Sequence, residues 1–347
     1  VALLVRACLV CGVFNMPARG QWTMQDSGTK ARLRGLAVMD RSVAWATGSA
    51  GTILRTTDGG NHWTPRVVPG ASDNDFRDVH AVDARTAFVL AVGPGVRSKV
   101  WKTSDGGTTW AASLANPDDR GFLDAIAFTD PDHGLVQGDP VEGRFVIYST
   151  RDAGATWNST AVEGMPPALP GEGAFAASGT SLVALGGRHA WFATGGAATA
   201  RVFRSESAGA SWSVAETPIA ASTPSAGIFS LAFRDALHGV AVGGDYRRPE
   251  QGGRIAARTD DGGRTWALPK GPGPRAFRSA VAYVPGTRMP TLLAVGPTGA
   301  EISTDDGDSW QPLGSVGFHA VDFAGPDAGW AVGESGRIGR FTAPLGR

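Results

Sequence analysis

Apolar residues in this chain come in short runs, cut by turns rich in Gly and Asp. The first set is Leu33-Arg34-Gly35-Leu36-Ala37-Val38, then Ala44-Trp45-Ala46-Thr47-Gly48, then Thr52-Ile53-Leu54-Arg55. Runs this short, bounded by turn residues, predict strands rather than helices. The same order returns from openings at Phe76-Arg77-Asp78-Val79, Phe122-Leu123-Asp124-Ala125 and Gly171-Glu172-Gly173-Ala174-Phe175. It returns again at Ile228-Phe229-Ser230-Leu231, Phe277-Arg278-Ser279-Ala280 and Phe318-His319-Ala320-Val321.

In six of these seven sets the third run ends in one polar phrase, Ser/Thr-x-Asp-x-Gly-x-x-Trp. Its aspartates are Asp58, Asp105, Asp152, Asp261 and Asp305, and its tryptophans are Trp63, Trp110, Trp157, Trp212, Trp266 and Trp310. The copy ending at Trp212 is worn, with Ser207 in place of the aspartate. Successive tryptophans lie 44 to 55 positions apart, a spacing that marks a repeat architecture. The residue types suit a hairpin staple. The carboxylate accepts backbone N–H bonds within its own turn, the glycine takes a positive φ, and the indole wedges between sheets. One aspartate per turn is too few oxygen ligands for calcium, so no metal is expected.

This phrase is the Asp box, a motif specific for a β-propeller blade and silent about chemistry. It occurs in sialidases, some glycanases, sorting receptors and the photosystem II stability/assembly factor family. The seventh set meets no Asp box before the chain stops, while Gln21-Trp22-Thr23-Met24 matches the residues that follow a box. The expected fold is therefore all-β, a seven-bladed β-propeller over residues 21–347, its last blade closed by the N-terminal strand. Closure of that kind removes exposed sheet edges.

Composition adds limits. The 32 basic and 32 acidic residues balance, so no global charge argues for nucleic acid or a membrane surface. No stretch is apolar enough over sufficient length to span a membrane. Residues 1–20 stand outside the repeat, with Arg6, an apolar stretch from Ala7 to Phe14, and then Met16-Pro17-Ala18-Arg19-Gly20. They are expected to be a secretory signal, which places the protein in the periplasm or outside the cell. Cys8 and Cys11 fall in that segment, where their spacing reads as incidental to export.

The first strand of a propeller blade lines the central channel. The second residue of each opening then forms a ring at the channel mouth: Arg34, Arg77, Leu123, Glu172, Phe229, Arg278 and His319. Turns expected on the same face add Arg97, Lys99, Asp139, Arg144, Arg247, Arg248 and Arg337. Converging guanidiniums suit a carboxylate or phosphate, which Arg grips with two parallel bonds. The alternative is that each Arg pairs with a neighbouring acid and stitches blades together. The longest turn, Gly243 to Gly253, carries Tyr246, Arg247 and Arg248 between glycines. An enzyme would have to use Asp139 and Glu172, two carboxyls from adjacent blades, as glycoside hydrolysis requires. No nucleophile elbow, zinc-helix motif or phosphate loop is present, and no cofactor is expected. His133 and His238 sit in Asp-x-x-His-Gly turns and read as part of the repeat.

The repeat as a whole resembles the photosystem II stability/assembly factor family, best in His238-Gly239-Val240-Ala241-Val242-Gly243 and Thr259 to Trp266. The resemblance implies an exported, non-enzymatic seven-bladed propeller that binds a protein through an Arg patch, here Arg34, Arg77 and Arg278. It extends from Gln21 to Phe341, and Glu172 interrupts the ring. A sialidase is a poorer fit, since the chain has seven units, three Tyr and no Arg-Ile-Pro motif. The residues favour binding over catalysis. The expected ligand is a protein segment or an anion held on the channel face.

Overall fold

The computed structural model describes residues 21–160, 164–343 and 345. The expected export segment, with Cys8 and Cys11, lies outside the described residues.

Seven antiparallel sheets follow one another along the chain, and they form the expected seven-bladed β-propeller. Blade 1 holds Leu33–Val38, Ala44–Gly48, Ile53–Thr56 and Thr64–Pro65, paired in that order from the channel outward. Blade 7 holds Ala320–Gly325, Ala328–Val332 and Ile338–Phe341, and its outermost strand is Trp22–Gln25 from the other end of the chain. Trp22 faces Phe341 and Gln25 faces Ile338, so the ring closes as the sequence predicts. Blade 5 departs from the four-strand plan, and blade 4 keeps four strands but begins late. In blade 5 the outer strand shrinks to a single Arg258–Ala267 bridge. In blade 4 the inner strand is Leu182–Leu185, well past the expected opening at Gly171–Phe175.

The Asp box staples each hairpin as its chemistry requires. In blade 2, Thr103 Oγ1 accepts the Gly107 N–H at 2.9 Å and donates to Asp105 Oδ1 at 2.9 Å. Asp105 Oδ1 in turn accepts the Thr109 N–H at 2.9 Å. Gly107 has φ +83°, a conformation that costs other residues strain. The worn box keeps the geometry, because Ser207 Oγ accepts the Ser211 N–H at 2.9 Å. A hydroxyl there does the work of the missing carboxylate. Between blades the core is layered, with buried Trp45, Trp191 and Trp330 filling the gaps between sheets.

The channel wall is stitched from blade to blade. Asp78 Oδ2 accepts the Ile126 N–H of the next blade at 2.7 Å, and Asp322 Oδ2 accepts the Val38 N–H at 2.7 Å. Ser230 does the same for Val281 at 2.9 Å. Burial pushes the Asp78 carboxyl from 3.8 up to about 7 and that of Asp322 to about 6. Both groups bind protons more tightly folded than unfolded. Their contribution is therefore fully present below about pH 4 and is lost as pH rises through 6 and 7. The Asp-box carboxylates Asp58, Asp105 and Asp152, held at about 2 mainly by hydrogen bonds, act only below that window. We expect thermal stability to fall between pH 4 and 7, by on the order of 5 kcal/mol from these two groups. The double variant Asp78→Asn/Asp322→Asn should flatten that limb in a melting series. An unchanged slope in the double variant would refute the assignment.

Candidate functional site at the channel mouth

Most inner strands carry one residue that drops out of ladder register and turns its side chain into the channel. The bulges fall at Arg34, Arg77, Asp124 and Phe229, each skipped in its blade's pairing. Ser279 and His319 occupy the equivalent place, just ahead of the strands that begin at Ala280 and Ala320. These six residues line a cavity of about 590 Å³. Arg34, Arg77, Phe229 and His319 thus stand where the ring expects them, and two blades differ by one residue. Asp124 replaces Leu123, and Ser279 replaces Arg278. A slip of one residue swaps channel for core in a strand.

Arg278 is a stitching residue. It is buried, donates from Nε to Glu301 at 2.9 Å and caps Phe277 O and Thr298. The expected three-Arg patch is thus Arg34 and Arg77 alone. Glu172 is likewise absent from the cavity. Its side chain is fully buried and holds Arg201 through two bonds, one at 2.9 Å from Nε and a shorter one from Nη2. It also accepts the Leu169 N–H at 2.8 Å and the Thr194 hydroxyl at 2.6 Å. Arg201, an ordinary strand residue by its local pattern, is the partner that takes Glu172 away. Its Nη2 also reaches Pro167 O at 2.8 Å, clamping the proline-rich strap.

What blade 4 sends into the channel instead is its own backbone, and Ala176 to Gly179 are buried there. Asp139 Oδ1 accepts the Ala174 N–H at 2.9 Å, and Phe175 stacks on Phe229 at 3.9 Å. Arg77 donates to Ala176 O at 3.1 Å and Arg34 to Ala177 O at 3.2 Å. Ser178 Oγ donates to Ser279 O at 2.9 Å, and Thr180 meets Ser230 at 2.6 Å. This plug therefore bonds or stacks with blades 1, 2, 3, 5 and 6. Its one signal in the sequence is the weak opening Gly171–Phe175, which lacks the apolar alternation of the others.

The cavity has two unlike halves. On one side stand the guanidiniums of Arg34 and Arg77 with His319. Arg77 Nε is paired to Asp75 at 2.8 Å, and His319 Nε2 lies 2.8 Å from Glu334. Burial, then the nearby charges of Arg32 and Arg77, lowers Arg34 to about 10. Its Nε is buried without a hydrogen-bond partner. On the other side, Phe175, Phe229, Phe277 and Tyr246 form an aromatic wall. Asp139 and the buried Asp124 also line the cavity, both pushed up by burial, and Asp124 further by the charge of Asp139. Asp124 Oδ2 is also buried without a partner.

The remaining sequence candidates lie off the cavity wall. Arg144 donates to Met165 O at 2.7 Å. Arg248 pairs with Asp245 at 3.0 Å, and Arg247 lies over the Tyr246 ring. His133 and His238 are held by Asp130 and Asp235 within their own turns. No cluster of His, Cys, Asp or Glu suited to a metal is found among the described residues, nor a helix long and apolar enough to cross a membrane.

The family model for the photosynthesis system II assembly factor YCF48 matches residues 71–226. A structure of YCF48 bound to D1 peptide superposes with a TM-score of 0.63, at 19% identity, over 93% of this chain and 97% of that one. The chain is an Asp-box propeller that is similar to the photosystem II assembly factors over part of its length. This propeller is also 28% identical over 127 residues, 36% of its length, to the photosystem II stability/assembly factor HCF136 of Oryza sativa. It is 26% identical over 162 residues, 39% of its length, to xyloglucanase Xgh74A of Acetivibrio thermocellus. The matched stretches span only 29% of the rice protein and 19% of the xyloglucanase.

Proposed function

We propose that this propeller is an exported, non-enzymatic binding and assembly factor that holds an acidic segment of a partner protein against Arg34 and Arg77. The observation that carries this reading is Arg34. Its guanidinium stands in the cavity wall with no ion-pair partner among the described residues, and its Nε is buried without a hydrogen bond. Burial and like charge destabilise its ionised form, and an incoming carboxylate would relieve both. The peptide in the YCF48 structure supports a protein ligand over a free anion.

The hydrolase alternative finds support in the xyloglucanase match, but it would need Glu172 at the cavity. Arg201, Leu169 and Thr194 already occupy both oxygens of that carboxylate.

The test is a peptide array of graded acidity, probed with the native propeller and with Arg34→Gln/Arg77→Gln. Binding should rise with peptide acidity, weaken as salt is raised, and drop at least about tenfold in the double variant. Equal capture by both proteins would overturn the reading.

A further inference from the structure

The two halves of the cavity face the same space, and each implies something about what enters it. The cationic half takes the carboxylate proposed for Arg34 and Arg77, and the role of the aromatic half rests on that reading. The aromatic half sets a second requirement. Phe175 and Phe229 lie parallel at 3.9 Å, and Phe277 stands edge-on to Phe229 at 4.8 Å. These rings satisfy one another, so their outer faces and edges are what a ligand meets. Tyr246 closes the wall from the long blade 5 turn, edge-on to Phe229 at 6.0 Å and 47% exposed.

Its position is fixed rather than incidental. The Tyr246 N–H donates to Ser225 O at 3.2 Å, and Asp245 accepts the Arg247 N–H at 3.0 Å. Pro249 O accepts the Phe277 N–H at 3.1 Å, tying the turn to blade 6. Tyr246 also stands edge-on to Phe175 at 6.5 Å, so the rings pack into one continuous wall, and a further ring would pack on its cavity-facing side. Such geometry favours an aromatic side chain beyond the gain from burial alone. The rings and the two guanidiniums line one cavity, so a single ligand can meet both.

We infer that the cavity selects a segment in which an aromatic side chain sits directly beside a carboxylate, the ring packing on the wall of Phe175, Phe229 and Tyr246 while Arg34 and Arg77 hold the anion. The carboxylate can come from the end of a chain or from an Asp next to the ring, and the chemistry is the same.

Four short probe peptides test this by calorimetry on the intact propeller. They are acetyl-Ala-Ala-Phe acid, its amide, acetyl-Ala-Ala-Ala acid, and acetyl-Ala-Asp-Phe amide. The Phe acid should bind about tenfold tighter than the Ala acid, a difference of about 1.4 kcal/mol. Tyr246→Ala should shrink that ratio several-fold. Tighter binding of the Asp-Phe amide than of the Ala-Ala-Phe amide assigns the anion to a side chain. The reverse preference for the free acid assigns it to a chain end, and either arm supports the proposal. A Phe-to-Ala ratio near one overturns the aromatic selection while leaving the Arg34/Arg77 reading intact. Equal binding of the Phe acid and both amides would instead remove the carboxylate reading itself.

Discussion

Arg201→Met should lower the stability of this propeller by about 3–5 kcal/mol. Glu172 and Arg201 are both buried, with side-chain exposures of 0% and 8%. Removing the guanidinium leaves a carboxylate in the protein interior with two neutral donors, Leu169 N–H and Thr194 Oγ1. An unpaired buried charge is worth far more than the net value of the pair. The double variant Glu172→Met/Arg201→Met should therefore lose less than the single one, since it removes both desolvated charges at once. Urea unfolding of the three proteins checks this. A single-variant loss below about 1 kcal/mol would mean that Glu172 reaches water or takes up a proton cheaply. That outcome would also return Glu172 to the pool of groups able to meet a substrate.

Gly179→Ala should cost about 2–4 kcal/mol and unseat the plug. Gly179 has φ +78°, and a Cβ there would lie 2.0 Å from Asp78 Oδ1. Asp78 cannot give way easily, because it is buried and its other oxygen holds the Ile126 N–H that staples blade 2 to blade 3. Gly164→Ala is the matched control. It shares the positive φ, at +90°, but no atom of the described residues lies within 4 Å of its added carbon, so it should cost only about 1 kcal/mol. The difference between the two isolates the clash from the backbone strain. Limited proteolysis should then cut Gly179→Ala between residues 171 and 181 faster than the parent protein. Equal costs and equal cleavage for both glycines would show that the plug is not seated against Asp78.

Both predictions concern blade 4, where sequence pattern and structure part company. In the other blades the inner strand is an apolar run with one polar or aromatic interruption, and local pattern locates it to within a residue. That residue matters. Whether the channel receives Leu123 or Asp124 depends on where a bulge falls in the ladder, and whether it receives Arg278 or Ser279 on where the paired strand begins; the sequence of one strand does not contain its partner's register. In blade 4 the opening Gly171–Phe175 carries the same spacing from its neighbours but leaves the sheet. Its glycines make close backbone approaches, as at the bridge between Gly173 and Gly195. The carbonyls just beyond it, at Ala176 and Ala177, find donors on Arg77 and Arg34 across the channel.

The sequence alone determined the number of blades, the Asp-box staples and the closure by Trp22–Gln25 on Ile338–Phe341. These rest on interactions within one repeat or on a repeat cut between the two ends, so the period carries them. Only the tertiary structure decided which Arg residues remain available for a ligand. Arg278 and Arg34 look alike in their openings, yet one pairs with Glu301 and the other, among the described residues, hydrogen-bonds the plug's Ala177 carbonyl. That choice is made by residues far away in the chain, brought near by the ring. Pairing between such residues leaves no mark in local spacing, because its energy depends on burial and distance that exist only once the blades have closed.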